Sequence, residues 1–228
     1  MKAVIFAAGL GTRLRPITDT LPKPLVPVAG RAVLLRTLEA LPSSIAEVIV
    51  VVGYKGEMIR EAVGTDPHVK FVDQPELHGT YDALARAKAH LDAGPFLVVN
   101  GDDLYDTTDL ERLVAAGPTS MLAHRVARPN PYSHLQTKDG MLERIIMNRE
   151  VPATLEASNT YVGAAMLDQT FFNLEPARLP NGEVGLPQTL EKHLHTNPVR
   201  LVEAAFWMPV GTHEELATAE RHLAGLDK

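Results

Sequence analysis

The chain has 228 residues, of which 45% are apolar and 22% are charged, an ordinary composition for a globular protein with a substantial core. Its net charge of −6 argues against broad nucleic-acid binding, and the absence of cysteine excludes disulfides, thiolate metal sites and cysteine nucleophiles. No apolar run approaches the ~20 residues of a membrane span and the N-terminus has no signal-peptide layout, so we expect a cytoplasmic protein that binds neither membrane nor nucleic acid.

The first half of the chain alternates strand patterns with helical patterns. We predict strands at 3–6, 47–52, 69–72, 95–100 and 120–126, and helices at 32–41, 56–63, 80–91 and 108–116. Thr80 is expected to cap the helix that it begins. This alternation predicts an α/β fold: a mixed, mostly parallel sheet with helices on both faces.

The second half is less regular and is expected to complete the same domain, which we assign to residues 1–228. Strands are predicted at 142–146, 160–166 and 199–208, and helices at 186–194 and 213–223. The segments 148–159 and 175–185 contain proline, asparagine and glutamate and are predicted to be loops.

A glycine-containing loop follows the first predicted strand and leads into a cluster of cations. Gly9 and Gly11 are followed by Arg13, Arg15 and Lys23. The glycines alone fit a packed strand-to-helix turn equally well, and they match neither the dinucleotide fingerprint nor the P-loop. A packing turn has no need of three cations, whereas loop amides beside cations make a site for phosphate groups.

An acidic turn, Asn100-Gly-Asp-Asp103, follows the predicted strand 95–100. Glycine and aspartate are common turn formers, so the composition alone favours a simple turn. A carboxylate directly after a buried strand is nevertheless well placed to hold Mg²⁺ against phosphate oxygens. Because the carboxyl ends of parallel strands meet at one sheet edge, we expect this turn beside the glycine loop.

The opening pattern A-A-G-L-G-T-R-L-R-P-I-T…P-K-P-L-V-P-V-A-G resembles the signature of the sugar-1-phosphate nucleotidyltransferases. The resemblance implies a Rossmann-like nucleotide-diphospho-sugar transferase fold. It also implies a Mg²⁺-dependent reaction in which an NTP (UTP or dTTP preferred) and a sugar-1-phosphate give an NDP-sugar and pyrophosphate. Arg13 would stabilise the reacting phosphates, and Lys23 would neutralise charge at the α-phosphorus. The loop residues implied to bind the nucleotide are Ala7, Ala8, Gly9, Gly11 and Thr12.

Further segments resemble the nucleotide and metal sites of this family. Gln74 and the run Gly79-Thr80-Tyr-Asp-Ala-Leu are similar to the part that recognises base and ribose, where Gly79 would leave room for the nucleoside. The amide of Gln74 suits a pyrimidine edge, although by itself Gln74 is better explained as a solvated loop residue. Asp102 matches the magnesium-binding aspartate of the family.

The second half matches the family less closely. Gly163 and Glu183 lie in segments similar to those that line the sugar pocket, and packing or loop roles fit them nearly as well. The family reads E-K-P near Arg149, and its lysine binds the sugar phosphate; the resemblance implies that Arg149 supplies this charge here. Pro209 occupies the position of the family's second metal-binding aspartate in W-x-D-x-G-T. Either Asp102, phosphates and water alone hold the metal, or another carboxylate substitutes, or activity is reduced.

Three alternatives remain open at the level of sequence. A cytidylyltransferase acting on a phosphorylated alcohol such as phosphocholine would share the N-terminal signature. A regulatory protein that binds nucleotide or sugar without turnover would explain Pro209. A dinucleotide-binding oxidoreductase is disfavoured because the third glycine of its fingerprint is missing.

Overall fold

A computed structural model describes residues 1–128 and 130–226, which form an α/β fold. The strands are β1 (Lys2–Ala7), β2 (Pro27–Val28), β3 (Arg31–Ala32), β4 (Glu47–Val52), β5 (Val69–Asp73), β6 (Phe96–Asn100), β7 (Asp103–Tyr105), β8 (Ser120–Ala127), β9 (His134–Lys138), β10 (Met141–Ile146), β11 (Ala157–Leu167), β12 (Ala177–Arg178), β13 (Val184–Gly185), β14 (Arg200–Glu203) and β15 (Trp207–Pro209).

The α-helices are α1 (Ile17–Thr20), α2 (Val33–Ala40), α3 (Gly56–Val63), α4 (Thr80–Ala87), α5 (Thr107–Ala116), α6 (Leu186–Lys192) and α7 (His213–Leu226). Short 3₁₀ helices occur at Thr12–Leu14, Lys23–Leu25, Lys88–His90, Asn148–Glu150 and Gln169–Asn173. None of the helices within the described ranges combines the length and apolar character needed to cross a membrane.

The main sheet of the described residues has nine strands in the order β5-β4-β1-β6-β11-β8-β14-β10-β9. Strands β5, β4, β1 and β6 are parallel neighbours, and β14 is parallel to β8. Strands β11 and β10 pair antiparallel with their neighbours, which makes the sheet mixed. The predicted α/β class with a mixed, mostly parallel sheet is confirmed.

Alternating residues of β1 face two separate layers of core. Val4 packs in a cluster with Leu84 of α4 and Leu190 of α6, while Ile5 packs in a cluster with Leu34 of α2 and residues of α3 and α5. Successive side chains of a strand point to opposite faces of the sheet, so both faces of β1 are covered by helices. The predicted double-sided helix cover is therefore confirmed.

The predicted strand 199–208 is in fact two strands, β14 and β15, in different sheets. The chain leaves the main sheet between them because the amide of Phe206 donates to Oδ2 of Asp109 at 2.9 Å. Asp109 is only 1% exposed, so its carboxylate needs such a donor. The next residues then pair with β7, where Pro209 lies opposite Asp103.

Other local predictions also need correction. Strand β9 was not predicted, and β11 begins inside the segment predicted as the loop 148–159. The predicted loop 175–185 contains the short paired strands β12 and β13. Thr80 does not cap α4: Gly79 occupies the N-cap position, with a φ of 97° and no side-chain cap.

A charge network at the edge of the parallel strands predicts pH-dependent stability. Glu47 contacts Lys2 at 2.9 Å and Lys70 at 2.6 Å, and these ammonium groups, Lys70 first, lower the pKa of Glu47 to about 2. A lowered pKa adds stability above the ordinary value of 4.5, and that stability is lost as the pH falls toward 2. We expect Glu47→Gln to reduce the free energy of unfolding by about 1 kcal/mol at pH 7.

Denaturant unfolding at pH 7 and at pH 3 measures this effect. The difference between wild type and Glu47→Gln should shrink at the lower pH. Glu61→Gln, which changes an exposed glutamate of α3, is the matched control and should behave as wild type at both pH values. A deficit of Glu47→Gln that is equal at both pH values would contradict the electrostatic explanation.

Candidate active site

The glycine loop after β1 is shaped by the segment that carries Lys23. Gly11 has a left-handed φ of 65°, and a Cβ at this position would lie 2.8 Å from Cβ of Lys23 and 3.0 Å from Cγ2 of Thr18. The hydroxyl of Thr18 also donates to the Gly11 carbonyl at 2.8 Å. Gly9, by contrast, has no atom within 4 Å of its would-be Cβ. Gly11 is thus required by backbone conformation and packing, whereas Gly9 leaves open space beside the loop.

Arg13 and Lys23 converge on Gly211. A Cβ built on Gly211 would lie 3.1 Å from Nη2 of Arg13 and 3.4 Å from Nζ of Lys23. Prolines flank Lys23 on both sides and restrict the backbone of its 3₁₀ helix. The third cation of the loop, Arg15, instead forms an exposed ion pair with Asp19 at 3.2 Å. Two of the three predicted cations therefore meet at one point.

Asp102 is held beside this pair by the neighbouring strand. The amide of Gly101 donates to the carbonyl of Phe6 in β1 at 2.9 Å, and a Cβ on Gly101 would meet a methyl group of Ile5 at 2.8 Å. This close approach brings the acidic turn against the glycine loop. The ammonium group of Lys23 hydrogen-bonds Oδ2 of Asp102, and the Lys23 side chain is only 12% exposed.

These groups line a cavity of about 600 Å³ beyond the carboxyl ends of β1 and β6. Parallel sheets commonly bind ligands at this position. The cavity wall contains the predicted residues Ala8, Gly9, Gly11, Thr12, Arg13, Lys23, Gln74, Gly79, Thr80, Asp102 and Glu183. A cavity of this size accommodates a nucleotide-sized ligand, with cations beside the loop amides for its phosphates.

The family follows from comparison of the whole chain with known proteins. The model of the family described as "Nucleotidyl transferase" matches residues 2–225. The chain belongs to the nucleotidyl transferase family. This match confirms the nucleotidyltransferase family expected from the opening signature, and it extends over both halves of the chain.

Several curated proteins resemble this chain. Bifunctional protein GlmU from Gloeobacter violaceus is 31% identical over 238 residues, which cover 98% of this chain and 51% of that protein. GlmU from Methanococcus aeolicus is 28% identical over 98% of this chain and 54% of its own length. Mannose-1-phosphate guanyltransferase from Schizosaccharomyces pombe is 28% identical over 96% of this chain and 63% of its own length. The chain thus spans about half the length of the GlmU relatives that it matches.

A solved structure supports the fold. The crystal structure of a candidate glucose-1-phosphate thymidylyltransferase from Bacillus anthracis, in complex with sucrose, superposes with a TM-score of 0.83. The two proteins are 20% identical, and the match covers 97% of this chain and 94% of the other. This similarity confirms the predicted α/β fold.

Three of the predicted site residues do not line the cavity. Ala7 is buried in β1. Gly163 has a φ of 75°. A Cβ at this position would lie 2.2 Å from Nδ2 of Asn100, so glycine is needed here to make room for the Asn100 amide. The side chain of Arg149 is 81% exposed and pairs with Glu150 at 3.6 Å. The structure thus places Arg149 away from the lining residues, and the glycine at 163 is explained by packing.

The segment at 79–80 contacts the second half of the chain. A Cβ on Gly79 would lie 2.4 Å from the carbonyl oxygen of Val184, so glycine is needed here for the close approach of β13. The hydroxyl of Thr80 accepts a hydrogen bond from the amide of Leu186 at 2.9 Å. These contacts close one side of the cavity. They also bring Glu183 to the cavity wall.

Pro209 and Asp103 form a cross-strand pair next to the metal candidate. Asp103 is buried and does not line the cavity. Burial, and then the neighbouring Asp102 carboxylate, raise the pKa of Asp103 to about 7. The indole N–H of Trp207 approaches this carboxylate without forming a hydrogen bond of normal geometry. Asp103 therefore does not offer the cavity a second carboxylate at this point.

A side-chain cap by Thr212 at the start of α7 was missed in the sequence although the pattern Thr-x-x-Glu is visible there. The amide of Glu215 donates to the hydroxyl of Thr212 at 3.2 Å, and the carboxylate of Glu215 accepts from the amide of Gly211 at 2.8 Å. Tyr132 donates to the other oxygen of this carboxylate. Glu215 thereby fixes Gly211, the residue on which Arg13 and Lys23 converge. Pro187 and Gln188 also line the cavity and carried no signal in the sequence.

Proposed function

We propose that this nucleotidyl transferase joins a nucleoside triphosphate to a sugar-1-phosphate, giving an NDP-sugar and pyrophosphate. The observation that supports this proposal best is the convergence of Arg13 and Lys23 on Gly211, beside Asp102 and the glycine loop. Phosphoryl and nucleotidyl transfer depend on positioned cations more than on acid or base groups. The resemblance to mannose-1-phosphate guanyltransferase supports a sugar-1-phosphate as the acceptor.

In the proposed reaction an oxygen of the sugar phosphate attacks the α-phosphorus of the NTP. A new phosphorus–oxygen bond forms as the bond to the α–β bridging oxygen breaks, and its electron pair leaves with pyrophosphate. The second pKa of a phosphate monoester is about 6, so the attacking phosphate is already ionised near neutral pH and needs no general base. Arg13 and Lys23 offset the negative charge that gathers around the α-phosphorus.

Asp102 is the residue that would hold Mg²⁺ in this site. Its carboxylate faces the cavity, where Glu183 supplies the other lining carboxylate. No group of three His, Asp or Glu side chains within residues 1–128 and 130–226 forms a metal site by itself. This donor set fits Mg²⁺ that arrives with substrate, because Mg²⁺ is often held by one or two carboxylates together with substrate phosphates. When bound, the ion neutralises charge on the phosphate oxygens.

We assign the nucleotide to the part of the cavity formed by Ala8, Gly9, Gly11, Thr12 and the wall that carries Gln74. Gln74 is the buried amide of that wall and is proposed to contact the base, with UTP or dTTP preferred. Glu183 is the proposed acceptor of hydrogen bonds from sugar hydroxyls.

Pro209 supports a second candidate function. A relative that binds nucleotide and sugar phosphate for regulation, with little turnover, would not need the second metal carboxylate that the family has at this position. The two functions can be distinguished by measuring pyrophosphate release in the presence of Mg²⁺. The assay combines each common NTP with each of a panel of sugar-1-phosphates, and phosphocholine is included as a further acceptor. Turnover with a sugar-1-phosphate is the expected result. Nucleotide binding without turnover for any pair would favour the regulatory function, and release only with CTP and phosphocholine would indicate a cytidylyltransferase.

Replacing Pro209 by aspartate tests whether the missing carboxylate matters. We expect Pro209→Asp to lower the Mg²⁺ concentration that gives half the maximal rate, because a second carboxylate adds a ligand for the ion. The new charge stands opposite Asp103 in the β7–β15 pair, so a stability loss of about 0.5–1 kcal/mol is also expected. Rates measured over a range of Mg²⁺ concentrations give the first quantity and denaturant unfolding the second. Pro209→Asn is the neutral control, and identical Mg²⁺ curves for the two variants would show that the position does not affect the metal.

A further inference from the structure

Gln74 is buried in the cavity wall, yet one of its polar atoms has no protein partner. The residue is 3% exposed and follows β5, where its backbone amide donates to the carbonyl of Val52 at 2.7 Å. No group of the described part of the chain donates to its side-chain Oε1. Because the side chain lines the cavity, this acceptor is available to a ligand there.

The orientation of the Gln74 amide follows from its two acceptors. Nε2 donates to the carbonyl of Gly79 at 3.1 Å and to Oδ2 of Asp82 at 2.9 Å, which uses both of its hydrogens. Turning the amide by 180° would place Oε1 against a carbonyl and a carboxylate, with two repulsive contacts in place of two hydrogen bonds. The surroundings therefore hold the amide in one orientation, with Oε1 directed away from Gly79 and Asp82.

Asp82 is itself held in place as a carboxylate. It lies in the first turn of α4, and Arg86, one turn later, donates from Nε to the same Oδ2 at 2.8 Å. Burial acts to raise the pKa of Asp82, but the hydrogen bonds from Arg86 and Gln74 outweigh it and the net shift is downward. Asp82 is thus an ionised acceptor at neutral pH, and a charge-assisted hydrogen bond fixes the amide.

We propose that Asp82 is a positioning residue that makes Gln74 an acceptor-only reader of the base, so that the site selects uracil, thymine or guanine over cytosine and adenine. The inference rests on the proposed function, since it assigns the base of the NTP to this wall. Uracil and thymine carry a hydrogen on N3, and guanine carries one on N1, each of which can donate to Oε1. Cytosine N3 and adenine N1 carry a lone pair instead, which would oppose the lone pair of Oε1. A freely rotating amide would lose this discrimination, because it could also present Nε2.

The test compares kcat/KM for UTP and CTP with the same sugar-1-phosphate. Wild type is expected to prefer UTP. In Asp82→Ala the preference should fall by about tenfold, the effect of about one hydrogen bond, because only the Gly79 carbonyl then holds the amide and the amide turns more readily. Asp82→Asn is the rescue variant: Gln74 and Arg86 bind the same oxygen of Asp82, so one amide oxygen at this position can accept from both. Its preference should remain near that of wild type.

Gln74→Met tests the same inference by removing the amide while Asp82 and Arg86 stay unchanged. It should lose the same preference, and adding Asp82→Ala to it should change the ratio no further, because the two residues act as one unit. Equilibrium binding of UMP and CMP to the same variants measures the discrimination without turnover. Circular dichroism of each variant verifies that it is folded.

The possible results separate the role of Asp82 from the proposed function. An equal loss with UTP and CTP in Asp82→Ala would mean that Asp82 only supports the fold, and a wild-type preference for CTP or ATP would also overturn the inference. Absence of pyrophosphate release with every substrate pair would instead overturn the proposed function. In that case the UMP-to-CMP binding ratio of wild type and Asp82→Ala still decides whether the carboxylate orients the amide.

Discussion

Arg13→Ala is expected to lower the rate of pyrophosphate release by about 10²–10³-fold, the usual loss when a group that stabilises transition-state charge is removed. The guanidinium of Arg13 meets Lys23 at Gly211, on the cavity wall. The side chain is exposed and carries little of the core, so the free energy of unfolding should change by no more than about 0.5 kcal/mol. Initial rates at saturating substrate and denaturant unfolding measure the two quantities.

Arg15→Ala is the matched control for this prediction. Arg15 comes from the same loop, is exposed and pairs with Asp19 rather than lining the cavity. Its removal should leave the rate near that of wild type. Comparable rate losses in the two variants would indicate that the loop needs its overall positive charge, and an unchanged rate in Arg13→Ala would show that the role assigned to this residue is wrong.

Asp102→Asn is expected to reduce the Mg²⁺-dependent rate by about 10²-fold or more, because the position loses the charge proposed to hold the ion. The same change weakens the hold on the Lys23 ammonium, which hydrogen-bonds Asp102 in the structure. Lys23 is then freer to contact phosphates, so binding of NTP without metal should be as tight as in wild type or tighter. A Mg²⁺ titration of the rate and calorimetric NTP binding in EDTA separate the two effects.

Asp139→Asn provides the control for Asp102→Asn. Asp139 lies between β9 and β10 with a φ of 51°, a conformation that asparagine also tolerates. This variant should match wild type in both measurements. If Asp102→Asn kept the wild-type dependence on Mg²⁺, the metal would have to be held elsewhere. If it lost NTP binding in EDTA, Asp102 would be needed for the shape of the site rather than for the ion.

Much of the architecture could be predicted because its signals are local. The glycine loop and the acidic turn each follow a buried strand that is visible in the sequence as a short apolar run. Because these two strands pair in parallel, Lys23 and Asp102 lie close together. Arg13 and Lys23 are recognisable because cations and prolines recur in a specific order. These features depend on residues that are close in sequence.

The errors of prediction involve contacts between residues far apart in the chain. The split between β14 and β15 depends on Asp109, which is 97 residues away from the amide that it binds. The glycines at 79 and 163 are needed for approaches to Val184 and Asn100, which no local pattern reveals. The network of Gln74 with Asp82 spans only eight residues, but it joins the end of a strand to a helix. Without the family resemblance, the sequence therefore favours a solvated loop amide at Gln74.

The contacts at Gly211 also bear on when the site can form during synthesis. Arg13 meets Gly211 across almost the whole chain, and His213 contacts the carbonyl of Arg15 at 2.8 Å over a separation of 198 residues. Glu215, whose carboxylate fixes Gly211, is synthesised after both of these residues. Domains fold as their residues leave the ribosome, and contacts between distant residues form slowly. The end of the cavity that is proposed to bind phosphates therefore cannot be completed before α7 has emerged, even in a nascent chain that has already formed β1, β4 and β6.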